Sequence, residues 1–379
     1  MMKKQSNSDF NEENNNLKEN NFETVNETSK SEVDESGKKD NKKKKKLPLI
    51  ARILIALIVI VLVVVAIVAG TFMLLQHNGK KDLVVNKPDT GYEETIEYNG
   101  HTYVFNEDKV AFAFLGVDKE QFGLKNDQVG TAGQADADIV GVVDTKTGKI
   151  DIITIPRDTM VDIDLYSADG GFLRTEQMQL CLSYAYGDGA EKSCNNVTTA
   201  LSRILLNVPI EKYFALELAG IAPLNDAIGG VTVESLYDFK DEGIKKGDKV
   251  TIKGDFAETY VRKRNMDNIE ASLNRTDRQI QYIRAYADQL LPAVKNDFST
   301  VSRLYNTAMK YSQTNISVED VTYMASFIMS KGITGYTQHK IKGEMRASEK
   351  KNDYVFAEFY PDENSILETV IECFYTQVD

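Results

Sequence analysis

Acidic and basic residues suited to phosphate chemistry flank one β-hairpin that is predicted near the middle of the chain. Asp136 and Asp138 open the first apolar run of this hairpin, and Pro156-Arg157-Asp158 closes the second. Because a hairpin brings its two open ends together, we expect these side chains to meet at one edge of a sheet. Carboxylates can hold a divalent cation, and arginine can bind phosphate oxygens in pairs. The alternative is a simple salt bridge at the edge of the sheet.

A second group of cationic residues follows further along the chain. Arg262 and Arg264 lie two positions apart, so they face the same side only where the backbone is extended. Arg275, Arg278 and Gln279 open a predicted helix and share one of its faces. A charged helix face is often merely solvated. Beside an acidic pair that could hold a cation, however, these arginines predict a phosphate or pyrophosphate clamp.

Strands and helices alternate around these residues. Ile139 to Val143 and Ile150 to Ile155 form the hairpin, and the second run is apolar enough to lie inside a sheet that is covered on both faces. Further strands are predicted at 110–115, 213–218 and 231–233, and helices at 180–186, 197–206 and 221–228. We expect 162–177 to be irregular, and the tail from about 298 to be mostly helical before a strand at 354–360. The pattern predicts an α/β fold, a layered α-β-α exterior domain with a mixed central sheet.

Composition excludes several classes of function. The chain has 379 residues and a formal net charge of −12, which argues against a nucleic-acid partner because such proteins carry a basic face. Its three cysteines and three histidines lack the spacing of metal ligands, so no structural zinc site is expected. So few histidines also disfavour a Ser-His-Asp mechanism.

The N-terminal part predicts a membrane anchor. Residues 1–46 are polar and end in the basic run 42–46, so we expect a disordered tail. Ile53 to Leu75 carries no charge and, as a helix, would reach about 35 Å, enough to span a bilayer. The position of the lysines puts the tail in the cytoplasm and the rest of the chain outside the cell membrane. The predicted division is a tail at 1–46, a transmembrane signal anchor at 47–75, an exterior tether with a leading strand at 76–104, and a catalytic domain at 105–379.

Six short motifs, in this order, resemble the LytR–CpsA–Psr family over about residues 105–295, with a looser fit to the C-terminus. They are Leu115-Gly116-Val117-Asp118 with Ala135-Asp136, Ile155-Pro156-Arg157-Asp158-Thr159, Ala185-Tyr186-Gly187, Asp226-Ala227-Ile228-Gly229-Gly230-Val231, Tyr260-Val261-Arg262 with Arg264, and Arg275 with Arg278-Gln279.

The resemblance implies a membrane-anchored phosphotransferase. Such an enzyme moves a glycopolymer, for example teichoic acid, from a polyprenyl-pyrophosphate carrier onto peptidoglycan; a phosphodiester forms and polyprenyl phosphate leaves. The resemblance places Asp118 and Asp136 where the family binds Mg²⁺, for which Mn²⁺ could substitute. It implies pyrophosphate contacts at Arg157, Arg262, Arg264, Arg275 and Gln279. Of these residues, Arg157, Arg262 and Arg264 are the ones expected to be catalytic. Arg278 shares the predicted helix face with Arg275 and Gln279 and is expected to be a further pyrophosphate contact. An apolar cavity for the lipid is expected between the sheet and the helices near 197–206 and 221–228.

Two other functions remain compatible with the same residues. A lipid-pyrophosphate hydrolase would use water in place of the acceptor, and a non-catalytic envelope regulator, such as a transcriptional attenuator, would only bind the lipid-linked glycan. The chain also departs from the family pattern, because Gln179 and Cys181 stand where many members carry lysine and asparagine. Asp138 is an additional carboxylate, either a further ligand or an exposed group.

Cys181 and Cys194 are candidates for a disulfide bond in the exterior domain. A turn at Gly187-Asp188-Gly189 would let the chain double back and bring the two residues within bridging distance. A loop of this size would contribute on the order of 3 kcal/mol in the chain-entropy model. The alternative is a pair of buried free thiols, and Cys373 remains unpaired in either case.

Overall fold

A six-stranded mixed sheet forms the centre of the fold in a computed structural model that describes residues 49–85, 88–119, 129–210, 212–263, 271–297, 299–349 and 355–379. The strands among these residues are β1 (Thr95–Tyr98), β2 (His101–Phe105), β3 (Lys109–Val117), β4 (Ala135–Asp144), β5 (Lys149–Ile155), β6 (Met160–Tyr166), β7 (Phe172–Gln179), β8 (Lys212–Glu217), β9 (Val231–Glu234), β10 (Lys249–Ile252), β11 (Ser312–Thr314), β12 (Gly335–Lys340), β13 (Gly343–Ala347), β14 (Ala357–Pro361) and β15 (Tyr375–Gln377). The helices are α1 (Leu49–Lys80), α2 (Glu191–Ile204), α3 (Ile221–Ala227), α4 (Phe256–Arg262), α5 (Ala271–Asn296), α6 (Ser299–Tyr311), α7 (Val318–Lys331) and α8 (Glu363–Phe374).

The central sheet is covered by helices on both faces. Its strand order is β11-β8-β3-β4-β5-β12. β8 is parallel to β3 and β12 is parallel to β5, and the other neighbours are antiparallel. Helices α2 and α8 pack on one face through the largest apolar cluster, and α5 and α7 pack on the other. The predicted layered α-β-α architecture with a mixed sheet is confirmed.

The predicted hairpin is β4–β5, and its turn is closed by local hydrogen bonds. The Oδ1 atom of Asp144 accepts hydrogen bonds from the amides of Lys146 and Thr147, both at 2.9 Å, a side-chain turn typical of aspartate. Gly148 has a φ of +80°, and a Cβ atom there would lie 2.4 Å from the carbonyl oxygen of Gly332. Strand β5 lies between β4 and β12 with most of its residues buried, as the run of isoleucines predicts.

Two predictions of secondary structure are wrong in part. Residues 162–177 are not irregular, because β6 and β7 pair there as an antiparallel hairpin. Val161, Ile163 and Leu165 alternate with more exposed residues and are buried, whereas β7 is polar and mostly exposed, which hides its strand character. The tail is also less helical than predicted, because it supplies β12, one edge of the central sheet.

Helix α1 is long and apolar enough to cross a membrane. Its most apolar stretch has a mean hydropathy of 3.2, and none of that stretch is buried within the structure. The predicted tail, 1–46, lies outside the described residues. Residues 62–379 form one unit. In it, Leu83 and Val84 follow α1 and pack against Val110, Phe112 and Tyr323.

Candidate functional site

A β-bulge places Asp136 at the edge of the sheet. In the pairing of β3 with β4, Gly116 lies opposite Ala137 and Val117 lies opposite Ala135, so the register shifts at Asp136. A bulge bends its strand and redirects the side chain of the additional residue. The Asp136 side chain contacts two arginines that come from different elements, Arg157 and Arg275. It is therefore the centre of the candidate site.

Arg157 follows β5 and holds the open end of the hairpin together. Its Nη1 atom donates a hydrogen bond to Oδ1 of Asp136, and its Nη2 atom donates to Oε1 of Gln134 at 2.8 Å. The same nitrogen lies 3.3 Å from the sulfur of Cys181. The predicted meeting of Asp136 and Arg157 is thus observed, and the guanidinium is fixed by four partners, since its Nε also lies 3.4 Å from Oδ1 of Asp158.

Helix α5 brings Arg275 and Gln279 to the same edge. Arg275 is almost fully buried, and it donates to Oδ2 of Asp136 at 3.2 Å and to the Asp136 carbonyl oxygen at 3.0 Å. Gln279 lies one turn later and donates to the carbonyl oxygen of Val261 at 3.4 Å. Arg275 and Gln279 share the helix face that the sequence predicts.

Arg262 and Asp118 form the exposed side of the site. Nη2 of Arg262 lies 3.4 Å from Oδ1 of Asp118, and its Nη1 donates to Oε1 of Glu258 at 2.6 Å. The two side chains are 48% and 51% exposed, so both can reach a ligand from solvent. Asp118 and Asp136 line the same cavity, and Mg²⁺ prefers carboxylate oxygens together with substrate phosphates. The residues present therefore fit a divalent cation.

An apolar cavity of about 520 Å³ opens between these polar residues. Asp118, Asp136, Arg262, Arg275 and Gln279 are its polar lining, and β3, β4, β8, α3, α5 and α6 supply the rest. The apolar lining includes Phe114, Ile139, Phe214, Leu216, Leu224, Tyr282, Ile283, Tyr286, Leu290, Leu304, Tyr305 and Ala308. A cavity with an apolar body and a charged mouth can hold a molecule that carries an apolar chain and an anionic head.

The prediction of the cavity walls is correct for one helix and wrong for the other. The helix near 221–228 is α3, which contributes Leu224. The helix near 197–206 is α2, which packs in the core on the opposite face of the sheet. Helix α6 takes its place through Leu304 and Ala308, one turn apart. That spacing is visible in the sequence, but it does not distinguish a cavity wall from an ordinary core contact.

Arg278 does not join the site. Its Nε donates to the carbonyl oxygen of Tyr260 at 2.9 Å and its Nη2 donates to that of Lys263. The buried guanidinium also lies 5.1 Å from the ring centroid of Tyr237. It is therefore directed at the end of α4 rather than at the cavity, and its expected role as a substrate contact is corrected. Arg264 lies outside the described residues, so its predicted role stays a prediction.

We expect Arg278→Ala to lower the free energy of unfolding by about 2–3 kcal/mol, because two carbonyl groups lose a charged donor. Arg346→Ala is the matched control, since Arg346 is exposed and contacts Glu344, two residues away on β13, and the ring of Tyr360; a surface change of this kind costs about 0.5 kcal/mol or less. Denaturant unfolding of both variants measures the difference. Equal stability of the two variants would show that the Arg278 contacts contribute nothing.

Asp138, Gln179 and Cys181 do not line the cavity. Burial raises the pKa of the Asp138 carboxyl well above its ordinary value, although Arg275 opposes the shift; neither oxygen has a hydrogen-bond partner among the described residues. Asp138 is thus buried, and its interpretation as an exposed group is wrong. Gln179 donates to the carbonyl oxygen of Ala357 at 2.6 Å, so this position supports β14.

The predicted disulfide is not formed. Cys181, Cys194 and Cys373 are all free and buried. Cys181 lies in a short 3-10 turn with its sulfur beside Arg157, whereas Cys194 lies on α2 within the main apolar cluster. The turn between them brings the two segments together, but the thiols face different surroundings. The alternative of buried free thiols is the one observed.

We expect Cys181 to resist alkylation in the folded protein at pH 8, because burial raises the pKa of its thiol to about 11 despite the opposing charge of Arg157. Thiolate is the reactive form. After unfolding without reductant, all three cysteines should be modified, which peptide mass spectrometry measures. If the peptides that contain Cys181 and Cys194 stay linked and unmodified, the disulfide bond exists after all.

Comparison with known proteins identifies relatives of this architecture. A model of the LytR_cpsA_psr family matches residues 73–369. The polyisoprenyl-teichoic acid–peptidoglycan teichoic acid transferase TagV of Bacillus subtilis is 24% identical over 269 residues, which cover 68% of this chain and 62% of that protein. The enzyme TagU of Halalkalibacterium halodurans is 32% identical over 160 residues, 42% of this chain and 48% of that protein. The chain therefore matches about half to three fifths of these relatives' lengths.

The fold is shared with solved structures. The crystal structure of Bacillus subtilis TagV superposes with a TM-score of 0.55 at 20% identity, covering 70% of this chain and 95% of that one. At such an identity the likeness concerns the fold alone.

Proposed function

The chain belongs to the LytR–CpsA–Psr family, and on that premise we propose that it transfers a glycopolymer from a polyprenyl-pyrophosphate carrier to peptidoglycan. Teichoic acid is the class of polymer that the names of its relatives indicate. The polymer and the acceptor become joined through a phosphodiester, and polyprenyl phosphate leaves.

The observation that carries this proposal is the combination of an apolar cavity with a charged mouth. A polyprenyl chain is a long hydrocarbon, and its burial is favourable by about 0.8 kcal/mol for each CH₂ group. The pyrophosphate at the end of such a chain would lie at the mouth, where Arg157, Arg262 and Arg275 approach Asp118 and Asp136.

The arginines are suited to the transfer step. The acceptor hydroxyl attacks the phosphorus that carries the glycan, and the bond from that phosphorus to the leaving polyprenyl phosphate breaks. Negative charge gathers on the oxygens of the transferred group and of the leaving group. Phosphoryl transfer depends mainly on in-line positioning and on stabilisation of this charge. Arg262 and Arg275 would hold the two phosphates, and Gln279 would donate one further hydrogen bond.

Asp118 and Asp136 would hold Mg²⁺, or Mn²⁺, at the mouth of the cavity. Asp118 is half exposed and its contact with Arg262 is loose, so its carboxylate can turn toward a cation. When bound, the ion would neutralise phosphate charge and help to orient the substrate.

The test uses the purified full chain in detergent with a radiolabelled lipid-linked glycan. Incorporation of label into peptidoglycan, with equal release of polyprenyl phosphate, is the expected result. Release of the lipid without incorporation would identify a hydrolase instead. Tight binding of the lipid without either product would identify a binding regulator and exclude both enzymes.

We also propose that the catalytic unit lies outside the cell membrane and that the N-terminus lies in the cytoplasm. The basic run that precedes α1 supports this orientation. A membrane-impermeant thiol reagent should then label Lys146→Cys in intact cells and should fail to label Ser29→Cys. Lys146 is 73% exposed, whereas Gly148 cannot take a side chain and the three native cysteines are buried. Labelling at position 29 in sealed cells would reverse the orientation.

A further inference from the structure

Three side chains that can bind a metal ion meet away from the cavity. Asp151 comes from β5, His339 from β12 and Cys373 from α8, and one ligand atom of each lies within 4.8 Å of the others. Asp151 is 1% exposed, His339 is 9% exposed and Cys373 is fully buried. Asp151 lies six residues before Arg157, which corresponds to about 20 Å along an extended chain. The cluster is therefore separate from the candidate phosphate site.

The histidine in this cluster is oriented as a metal-binding histidine is. Its Nε2 atom lies 2.9 Å from Oδ1 of Asp151, and its Nδ1 atom lies 3.3 Å from Oε2 of Glu372. In one tautomer Nε2 donates a hydrogen bond to Oδ1 of Asp151; in the other, Nδ1 donates to Glu372 and Nε2 presents a lone pair to that oxygen. A cation bound to both Nε2 and Oδ1 removes the repulsion between the lone pair and the carboxylate. A carboxylate hydrogen-bonded to the nitrogen that does not bind the metal, here Nδ1, is the usual support of a metal-bound histidine.

A second observation points to a missing ligand. The Oδ2 atom of Asp151 is buried and has no hydrogen-bond partner among the described residues, whereas most buried polar atoms have one. Its other oxygen contacts Nζ of Lys149 at 2.9 Å. The Lys149 side chain is 43% exposed, so it can move into solvent and give its place to a metal ion.

We propose that Asp151, His339 and Cys373 bind a Zn²⁺ ion, with Glu372 hydrogen-bonded to the histidine and water at the fourth position. An oxygen, a nitrogen and a sulfur ligand together suit zinc, whereas Mg²⁺ and Ca²⁺ select oxygen ligands. Binding would displace the proton of the Cys373 thiol, because thiolate is the form that binds metal. The ion would join α8 and β12 to β5, the strand that leads to Arg157.

Zinc content is the first test. The full chain in detergent is dialysed against micromolar zinc and then against metal-free buffer, and wild-type protein should retain about one zinc ion per chain. Cys373→Ser and Asp151→Asn should lose it. Cys194→Ser, which removes an equally buried thiol on α2, should retain it. Glu372→Gln should weaken zinc affinity by about 10- to 100-fold, the usual effect of removing a residue that supports a ligand.

Cobalt substitution separates this site from Asp118 and Asp136. Wild-type protein loaded with Co²⁺ should show the near-ultraviolet sulfur-to-cobalt charge-transfer band, which oxygen ligands alone cannot produce. Its loss in Cys373→Ser and survival in Cys194→Ser would identify the thiolate. Because wild-type protein alone gives the primary readout, a variant that fails to fold does not decide the outcome. Wild-type protein that retains no zinc, or binds cobalt without this band, would overturn the proposal.

Discussion

Replacing Arg157 by alanine is expected to lower the turnover of glycan transfer by about 10²- to 10³-fold, the effect of removing one preorganised donor from a developing charge. Arg157 is held by Asp136, Gln134 and Cys181 at the end of β5. Its guanidinium is therefore fixed in place before substrate binds. The measurement is the rate of label transfer at saturating lipid substrate, which separates turnover from binding.

Two further variants show whether this loss reflects charge or folding. Arg262→Ala should cause a similar loss although Arg262 is half exposed and pairs only with Asp118 and Glu258 among the described residues, so its removal leaves the core intact. Arg174→Ala, an exposed arginine paired with Glu176 on β7, should retain full activity. If Arg157→Ala and Arg262→Ala both turn over at nearly the wild-type rate, the phosphate clamp is wrong.

Filling the cavity is the second change with a large expected effect. Ala308 lines the cavity from α6, and a tryptophan there would occupy space that the lipid needs. Displacing one five-carbon isoprene unit removes up to about 4 kcal/mol of apolar burial, or on the order of 10³-fold in affinity. Ala308→Trp should therefore raise the KM for a long-chain substrate by at least about tenfold.

Chain length distinguishes a blocked cavity from a damaged mouth. A substrate with a very short prenyl chain does not reach α6, so Ala308→Trp should process it as the wild-type protein does. Asn306→Trp is the matched control, because Asn306 is exposed on the same helix and does not line the cavity. Equal losses on long-chain and short-chain substrates would show that the cavity does not hold the lipid.

The central hairpin and the residues at its ends could be predicted from the sequence because their signals are local. Runs rich in valine and isoleucine on either side of the turn from Asp144 to Gly148 specify a hairpin, and this hairpin brings Asp136 close to Arg157. The layered α/β fold follows from the alternation of strands and helices. The six short motifs together indicate the family, which no single motif would establish.

The remaining features depend on contacts between distant parts of the chain. The shift of register that redirects Asp136 is a property of its pairing with β3. The helix face that carries Arg275 also carries Arg278, but α4 lies close enough to bind the second arginine. Cys181 and Cys194 have a spacing that suits a disulfide bond. However, the Cys181 thiol contacts Arg157, whereas the Cys194 thiol packs in the main apolar cluster. Likewise, the spacing of Asp151, His339 and Cys373 carries no metal signature, because only the parallel pairing of β12 with β5 and the packing of α8 bring them together.

That parallel pairing also sets a delay during synthesis of the protein. The Thr154 hydroxyl of β5 donates to the His339 carbonyl oxygen of β12, and 185 residues separate the two. At about 5–20 residues per second, the ribosome needs roughly 10–40 s to make this stretch. Throughout that interval one edge of β5 has unpaired amide and carbonyl groups between isoleucine side chains, which is a template for pairing with other chains. The edge of β5 is therefore open to pairing with other chains after β5 has emerged and before β12 has joined it.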